Sequence, residues 1–391
     1  MSYPREKLKN FIDVLSGFAF KSKDFTSAGV PVIKIKNVTP PTVTLDDLSY
    51  VSKEIAQAQN RFLLNYDDVL IALTGSHINQ MASVVGRVAR VRHQTPSLLN
   101  QRVGKITVIN PDEMDLDYIY YYLSQDLIKI QLASKAGGAA NQANISPSDV
   151  KNLDIPFPDI DVQHRISGIL SAYDNLIENN QKQIKLLEEA AQRLYKEWFV
   201  DLRFPGYEDT PIVDGVPEGW ERLPVGELIE KIPRTTQIMA SEYGKEGPIP
   251  IIDQSREFIA GYTDNHASLV NVGKPVIVFG DHTRILKYIQ FPFAKGADGT
   301  QLIVSNTDRM PQSLFYCSLV GVDLSNYHYA RHFKYLKAEE LLVPTQVIAE
   351  AFDRFVSPMF SKIQRLRDIN KAATNARDRL LPKLMSGEIE V

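Results

Sequence analysis

Clusters of hydrogen-bond donors and acceptors beside short apolar runs are the side chains best equipped for chemistry in this 391-residue chain. Thr74, Ser76, His77, Asn79 and Gln80 follow VLIAL, Asn100, Gln101 and Arg102 form a second cluster, and Asn141, Gln142 and Asn144 form a third after Gly137 and Gly138. In the second half Asp281, His282, Thr283 and Arg284 follow VIVFG, with Asp281 at the place of Thr74. Asp298 and Gln301 lie in GADGTQ, and Arg331, His332, Lys334 and Tyr335 stand where the first half has its Asn141 to Asn144 loop. Groups of these types read nucleic-acid base edges: Arg or Lys grips guanine with two hydrogen bonds, Asn or Gln grips adenine, and Asp accepts from cytosine N4. Lys34 and Lys36, spaced as on one face of a strand, suit phosphates. For any single residue a solvated loop side chain or a turn former is the plainer role, and an Asp in a turn is commonly a local cap. The clusters therefore carry the reading more than their members do.

Bond-making patterns are missing. The one Pro-Pro, Pro40 and Pro41, lacks the preceding Asn or Asp and the following aromatic of a base methyltransferase motif, and no phosphate loop occurs. Gly137 and Gly138 sit in no dinucleotide fingerprint, and Asp281, His282, His328 and His332 match no ligand spacing. The expectation is a non-catalytic chain that holds no metal and no cofactor of its own. A lone Cys317 in SLFYCSLVG rules out an intramolecular disulfide and reads as a buried, reduced thiol. No run approaches the roughly 20 apolar residues of a membrane span, and MSYPREKLKN lacks a secretory core, so a cytoplasmic location is expected. Net charge is −3, which argues against a free-standing nucleic-acid binder.

What positions the clusters is a chain written twice. Residues 159–200 form a heptad pattern with Ile166, Leu170, Tyr173, Ile177, Ile184, Leu187, Ala191, Leu194 and Trp198 on the seam and Asn180 in the remaining place. Residues 345–381 carry a similar stripe of Ile348, Phe352, Phe355, Met359, Ile363, Leu366, Ile369, Ala373, Ala376 and Leu380, with Pro358 as a point of bending. Ile166 and Phe352, Tyr173 and Met359, Ile177 and Ile363, and Leu194 and Leu380 share one displacement of 186 residues. DDVLIALTGSH and GKPVIVFGDHT rhyme ahead of the helices, so each half reads as an α+β globule followed by a long helix. The expected boundaries are a first recognition domain at 1–157, a helix at 158–200, a proline- and glycine-rich linker at 201–219, a second domain at 220–344 and a closing helix at 345–391. A pseudo-twofold between the halves would pair the helices antiparallel, a coiled-coil-like stalk between two similar α/β-mixed heads. A helix of this length spans roughly 57 Å against about 34–36 Å for a turn of B-DNA, so two heads would read a split site. Tyr195, Trp198 and Phe199 are read as an outward apolar surface for a partner, with packing against the neighbouring domain as the alternative.

WFVDLRFPGYE at 198–208 and VPEGWERLPVGEL at 216–228 resemble the central region of type I restriction-modification specificity subunits. RLLPKLMSGEI at 379–389 is similar to that family's closing segment, and RHFKYLKAEELLVP at 331–344 to the end of one recognition-domain type. The resemblance implies two target recognition domains, each reading half of a bipartite double-stranded DNA site, and helices that dock two modification (methyltransferase) subunits. Restriction (translocase/endonuclease) subunits would join through these, and S-adenosylmethionine, ATP and Mg would belong to the partners. A competing reading is a coiled-coil scaffold or regulator whose globules bind proteins.

Overall fold

Apolar runs too short for helices, each bounded by turn residues, become the strands of two small sheets in each half. The computed structural model describes residues 3–76, 84–137, 142–296, 298–327 and 331–391. It divides into two compact units: Met1–Ile177 with Lys371–Val391, and Glu178–Asn370. In the first unit Val69–Ala72 is buried along its whole length because antiparallel strands Val88–Arg90 and Val103–Val108 flank it. Ile12–Ser16 extends the sheet beyond Val103–Val108, and Val38–Thr39 and Thr42–Val43 close the other side. A second sheet centres on Val30–Ile33, parallel to Ser97–Leu99, with Ser49–Val51 and Leu63–Leu64 outside them. Arg5–Lys7 pairs antiparallel with Asp154–Pro156, which ties the start of the head to its exit.

Unit two repeats the centre of this plan with fewer strands, three in one sheet and four in the other. Val276–Gly280 lies between Leu286–Ile289 and Thr300–Ile303, both antiparallel to it. Ile249–Ile252 runs parallel to Phe293–Lys295, flanked by Gly261–Thr263 and Leu269–Val270, and Glu221–Pro224 pairs with Glu340–Val343. The heads thus share one α+β topology. A helix buries its apolar face in each: Leu116–Ser124, whose N-cap Asp115 accepts from the Asp117 N–H at 3.1 Å, and Gln312–Val320. Tyr118, Tyr121 and Tyr122 of the first and Phe315 of the second are almost fully buried, each contributing about 1.5–3 kcal/mol by removal from water. Burial also pushes the Cys317 thiol up to about 12 and keeps it protonated.

The long helices run Ile160–Tyr195, closing in a π turn at Lys196–Val200, and Gln346–Ser386. The second continues past 381, where the sequence pattern stops, and takes in both Pro358 and the exposed Pro382. Each unit contains a segment of both helices, and the segments are antiparallel. In the first unit Asp174 meets Arg377 at 2.5 Å, while Ile166 and Leu170 share a core with Leu381 and Leu384. In the second, Asn180 Nδ2 donates to Asn370 Oδ1 at 2.8 Å, Arg367 meets Glu188 at 2.9 Å, and the Trp198 ring lies 5.8 Å from Phe352.

Three readings of the sequence are corrected here. Phe355 and Ile369, assigned to the seam, are exposed, whereas Val356 and Phe360 are buried. A helix that packs on its head as well as on another helix buries a wider stripe than a heptad seam. Trp198 and Phe199, read as outward, are 7% and 5% exposed against Phe352 and Trp220, and Tyr195 stacks on Phe199. They form core, the packing alternative. Within residues 201–219 a hairpin pairs Ile212–Val213 with Val216–Pro217, and Phe204 is buried with its ring 4.6 Å from Trp220, so the stretch is anchored despite its linker composition.

Asp174 holds two buried donors, since it also accepts from the Tyr121 hydroxyl at 2.6 Å. Asp174 and Asp378 keep the Arg377 guanidinium charged against the desolvation that opposes it. Asp174→Ala is expected to destabilise the first unit by about 1–3 kcal/mol, because the buried Tyr121 hydroxyl loses its acceptor and Arg377 keeps only Asp378. Hydrogen exchange of the first unit's amides measures the loss.

Candidate nucleic-acid interface

Leu73, the residue after the first head's central strand, has both backbone groups bonded to distant segments. Its N–H donates to the Arg102 carbonyl at 3.0 Å and its carbonyl accepts from the Ile145 N–H at 2.9 Å. Beside it Thr74–Gly75 pairs with Ala143–Asn144, and the Thr74 hydroxyl donates to Asn144 Oδ1 at 2.8 Å. The Asn100 N–H donates to the Ile33 carbonyl at 3.1 Å, and that of Gln101 to Phe18 at 2.9 Å. Gly17 lets this turn approach, because a Cβ there would lie 2.3 Å from the Asn100 carbonyl oxygen. Three clusters far apart in sequence therefore meet at one strand end. Gln101, Arg102, Gln142 and Asn144 are exposed, Ser76 and Asn100 are half-buried, and Thr74 is buried as a positioning group. His77, Asn79, Gln80 and Asn141 lie outside the described residues.

Lys34 and Lys36 do not share a strand face, because the strand stops at Ile33 and Ile35–Asn37 is a 3-10 turn. Lys34 Nζ donates to Ser49 Oγ at 2.8 Å and lies 4.0 Å from the centre of the Phe25 ring; burial, then Lys36, push its ammonium down. Lys36 pairs with Asp47.

The second head uses the same device with different side chains. Val103 pairs with Ala72 in one sheet and Thr300 with Gly280 in the other, so Asp281 corresponds to Leu73, one residue before the Thr74 with which sequence alignment matched it. The Asp281 N–H donates to the Gly299 carbonyl at 2.7 Å, and its carbonyl accepts from the His332 N–H at 2.9 Å. Its carboxylate accepts from the Phe333 N–H at 2.7 Å, at the start of the helix His332–Ala338. Asp281 is 3% exposed and caps this helix, which replaces its reading as a cytosine acceptor. His332 is likewise buried, with its ring nitrogens 2.9 Å from the carbonyl oxygens of Asp281 and Tyr327. His282, Thr283, Arg284, Asp298, Arg331 and Lys334 are exposed; Gln301 and Tyr335 are half-buried, and Tyr335 stacks on Tyr327 at 4.0 Å. Arg284 has a left-handed backbone (φ 61°), and its Nη1 donates to the Leu324 carbonyl at 3.0 Å.

Sequence reasoning missed Gln254, which bonds to both tips of this head, although its place two residues beyond the apolar run PIPII was a visible signal. Among the described residues no group of three or more His, Cys, Asp or Glu is placed to hold a metal ion. No helix among them is long and apolar enough to cross a membrane.

Residues 5–189 match the type I restriction modification DNA specificity domain. A type I restriction enzyme specificity subunit of Methanocaldococcus jannaschii (MjaIX) is 24% identical, the match covering 99% of this chain and 93% of that one. Over nearly its whole length the chain is similar to type I specificity subunits. A putative second member from the same organism (MjaX) is 27% identical over 64% of this chain and 59% of its own length. The crystal structure of the S subunit from M. genitalium has the same fold, with a TM-score of 0.61, 17% identity and coverage of 98% of this chain and 96% of that one. A specificity subunit of this family carries no catalytic group. At the duplicated strand ends the buried members hold backbone groups while the exposed ones reach solvent. Asp281→Ala is expected to lower stability by about 1–3 kcal/mol, because it leaves the Phe333 N–H without its acceptor, whereas Arg331→Ala is expected to leave the melting temperature unchanged. Thermal unfolding of the two variants checks the contrast.

Proposed function

We propose that each head reads one half of a bipartite double-stranded DNA site for a type I restriction-modification complex, through the exposed side chains around its central strand end. The observation that carries this reading is the repeated topology, which presents Gln101, Arg102, Gln142 and Asn144 in one head and His282 to Arg284, Asp298, Arg331 and Lys334 in the other. The recognition domains are taken as residues 1–157 and 220–344, joined through the helices at 158–200 and 345–391 and the connection at 201–219. Two modification subunits dock on the helices, using exposed apolar groups such as Leu186 and Phe355 in place of the buried Trp198, and restriction subunits join through them. Methyl transfer from S-adenosylmethionine and ATP- and Mg-dependent steps belong to those partners, and the complex works in the cytoplasm.

Mapping methylated bases genome-wide, with the cognate modification gene present and this gene intact or deleted, tests the proposal. One split motif is expected to vanish on deletion; an unchanged methylome would count against the reading. In the same assay Arg102→Ala and Arg331→Ala are each expected to relax preference at particular bases by about 1–3 kcal/mol. With a net charge of −3, the isolated chain is expected to bind DNA weakly and with strong salt dependence, checked by anisotropy titration at rising salt. Tight binding without partners at physiological salt would contradict it.

A further inference from the structure

We propose that Gln254 is a positioning residue that determines how strictly the second head discriminates bases, an inference that rests on the DNA-reading function above. Its carboxamide Nε2 donates to the Asp298 carbonyl at 2.8 Å, and its Oε1 accepts from the His282 N–H at 3.1 Å. Its own carbonyl accepts from the Thr283 hydroxyl at 2.7 Å. One residue thus ties the exit of strand Ile249–Ile252 to the tip after Val276–Gly280 and to the turn before Thr300–Ile303. His282, Thr283 and Asp298 are exposed, while Gln254 is half-buried behind them. It holds the tips; they do the reading.

Two glycines show how little slack the arrangement has. A Cβ at Gly299, whose φ is +82°, would lie 2.7 Å from Gln254 Nε2 and 2.9 Å from His282 Cδ2. At Gly280 it would lie 2.1 Å from the Thr283 hydroxyl oxygen and 2.9 Å from Gln254 Cβ. The carboxamide must donate on one side and accept on the other. Ala loses both bonds, and Glu keeps the acceptor for His282 but turns an oxygen towards the Asp298 carbonyl. Base discrimination depends on holding contact groups within about 0.5 Å of their productive place. The buried anchors of this head, Asp281 to Phe333 and to Gly299, do not involve the Gln254 side chain, so its loss loosens the tips without unfolding the sheet.

The test is the methylation motif produced in cells by the full chain with its modification subunit, for wild type, Gln254→Ala and Gln254→Glu, alongside the melting temperature of each. Both variants are expected to keep one half of the motif intact and to lose discrimination in the other by about fivefold or more at one or several positions. If Gln254→Ala abolishes methylation, Gln254→Glu decides by the same criterion. A wild-type motif in both variants overturns the inference, as does loss of methylation in both, or decay of both halves together with a lowered melting temperature. A wild-type chain that directs no split motif overturns the underlying function as well, and that failure is recognised before any substitution is made.

Discussion

Each head depends on one constraint: the residue that leaves the central strand must satisfy a buried N–H and a buried carbonyl with backbone from two remote segments. Leu73 does so with Arg102 and Ile145, and Asp281 with Gly299 and His332. An unpaired backbone group in such a place carries the cost of a lost hydrogen bond, so the segments cannot drift away individually. This is why polar loops that lie far apart in sequence reach the surface side by side. Sequence can vary freely at the tips because the attachment runs through main chain: a leucine and an aspartate fill the same position.

The side-chain difference at that position still has consequences. Leu73 closes its site by packing into the apolar core, and the neighbouring Thr74–Asn144 bond secures the loop. Asp281 reaches the helix that follows, where its carboxylate meets the positive end of the backbone. The second head thereby couples its strand end to a helix start electrostatically as well as through the main chain. On the long helices, the Asn180–Asn370 amide pair is an uncharged polar contact of the second unit, 3% exposed at Asn180. Such a pair lowers stability but penalises every register in which the amides fail to meet.

The parts legible in the sequence were those with long periodicity or repetition. Two helices related by one displacement, the α+β halves and the rhyme of DDVLIALTGSH with GKPVIVFGDHT survive because each rests on many residues at once. What failed rested on single positions. Lys34 and Lys36 have strand spacing, but Asn37 folds back to accept from the Lys34 N–H at 3.1 Å and ends the strand. Phe199 was read as outward because helix periodicity gives no sign that Trp220 returns to pack on its ring, with Phe204 on Trp220 in turn. The parallel pairing of Val30–Ile33 with Ser97–Leu99 joins residues with more than 60 others between them, and no local pattern announces it. Gln254 was overlooked for the same reason, since its partners are turns more than 25 residues downstream.

An acidic chain that recognises DNA is intelligible from where its cations are engaged. Lys105 pairs with Asp68 at 2.6 Å with both side chains largely buried, Arg377 is held by Asp174, and Arg309 donates to the carbonyls of Gly219, Val343 and Pro344 as well as to Glu221. These charges serve the fold and are not free to neutralise phosphates. Exposed pairs such as Lys36 with Asp47 are weak and can exchange for a phosphate, but each brings its carboxylate to the same surface. The exposed strand ends therefore carry amides, hydroxyls and a few arginines, residue types suited to base edges, with little of the positive excess that holds a duplex irrespective of sequence. A reader built this way separates specificity from affinity. On the proposed reading, such a head would depend on a partner for the clamp on the phosphates.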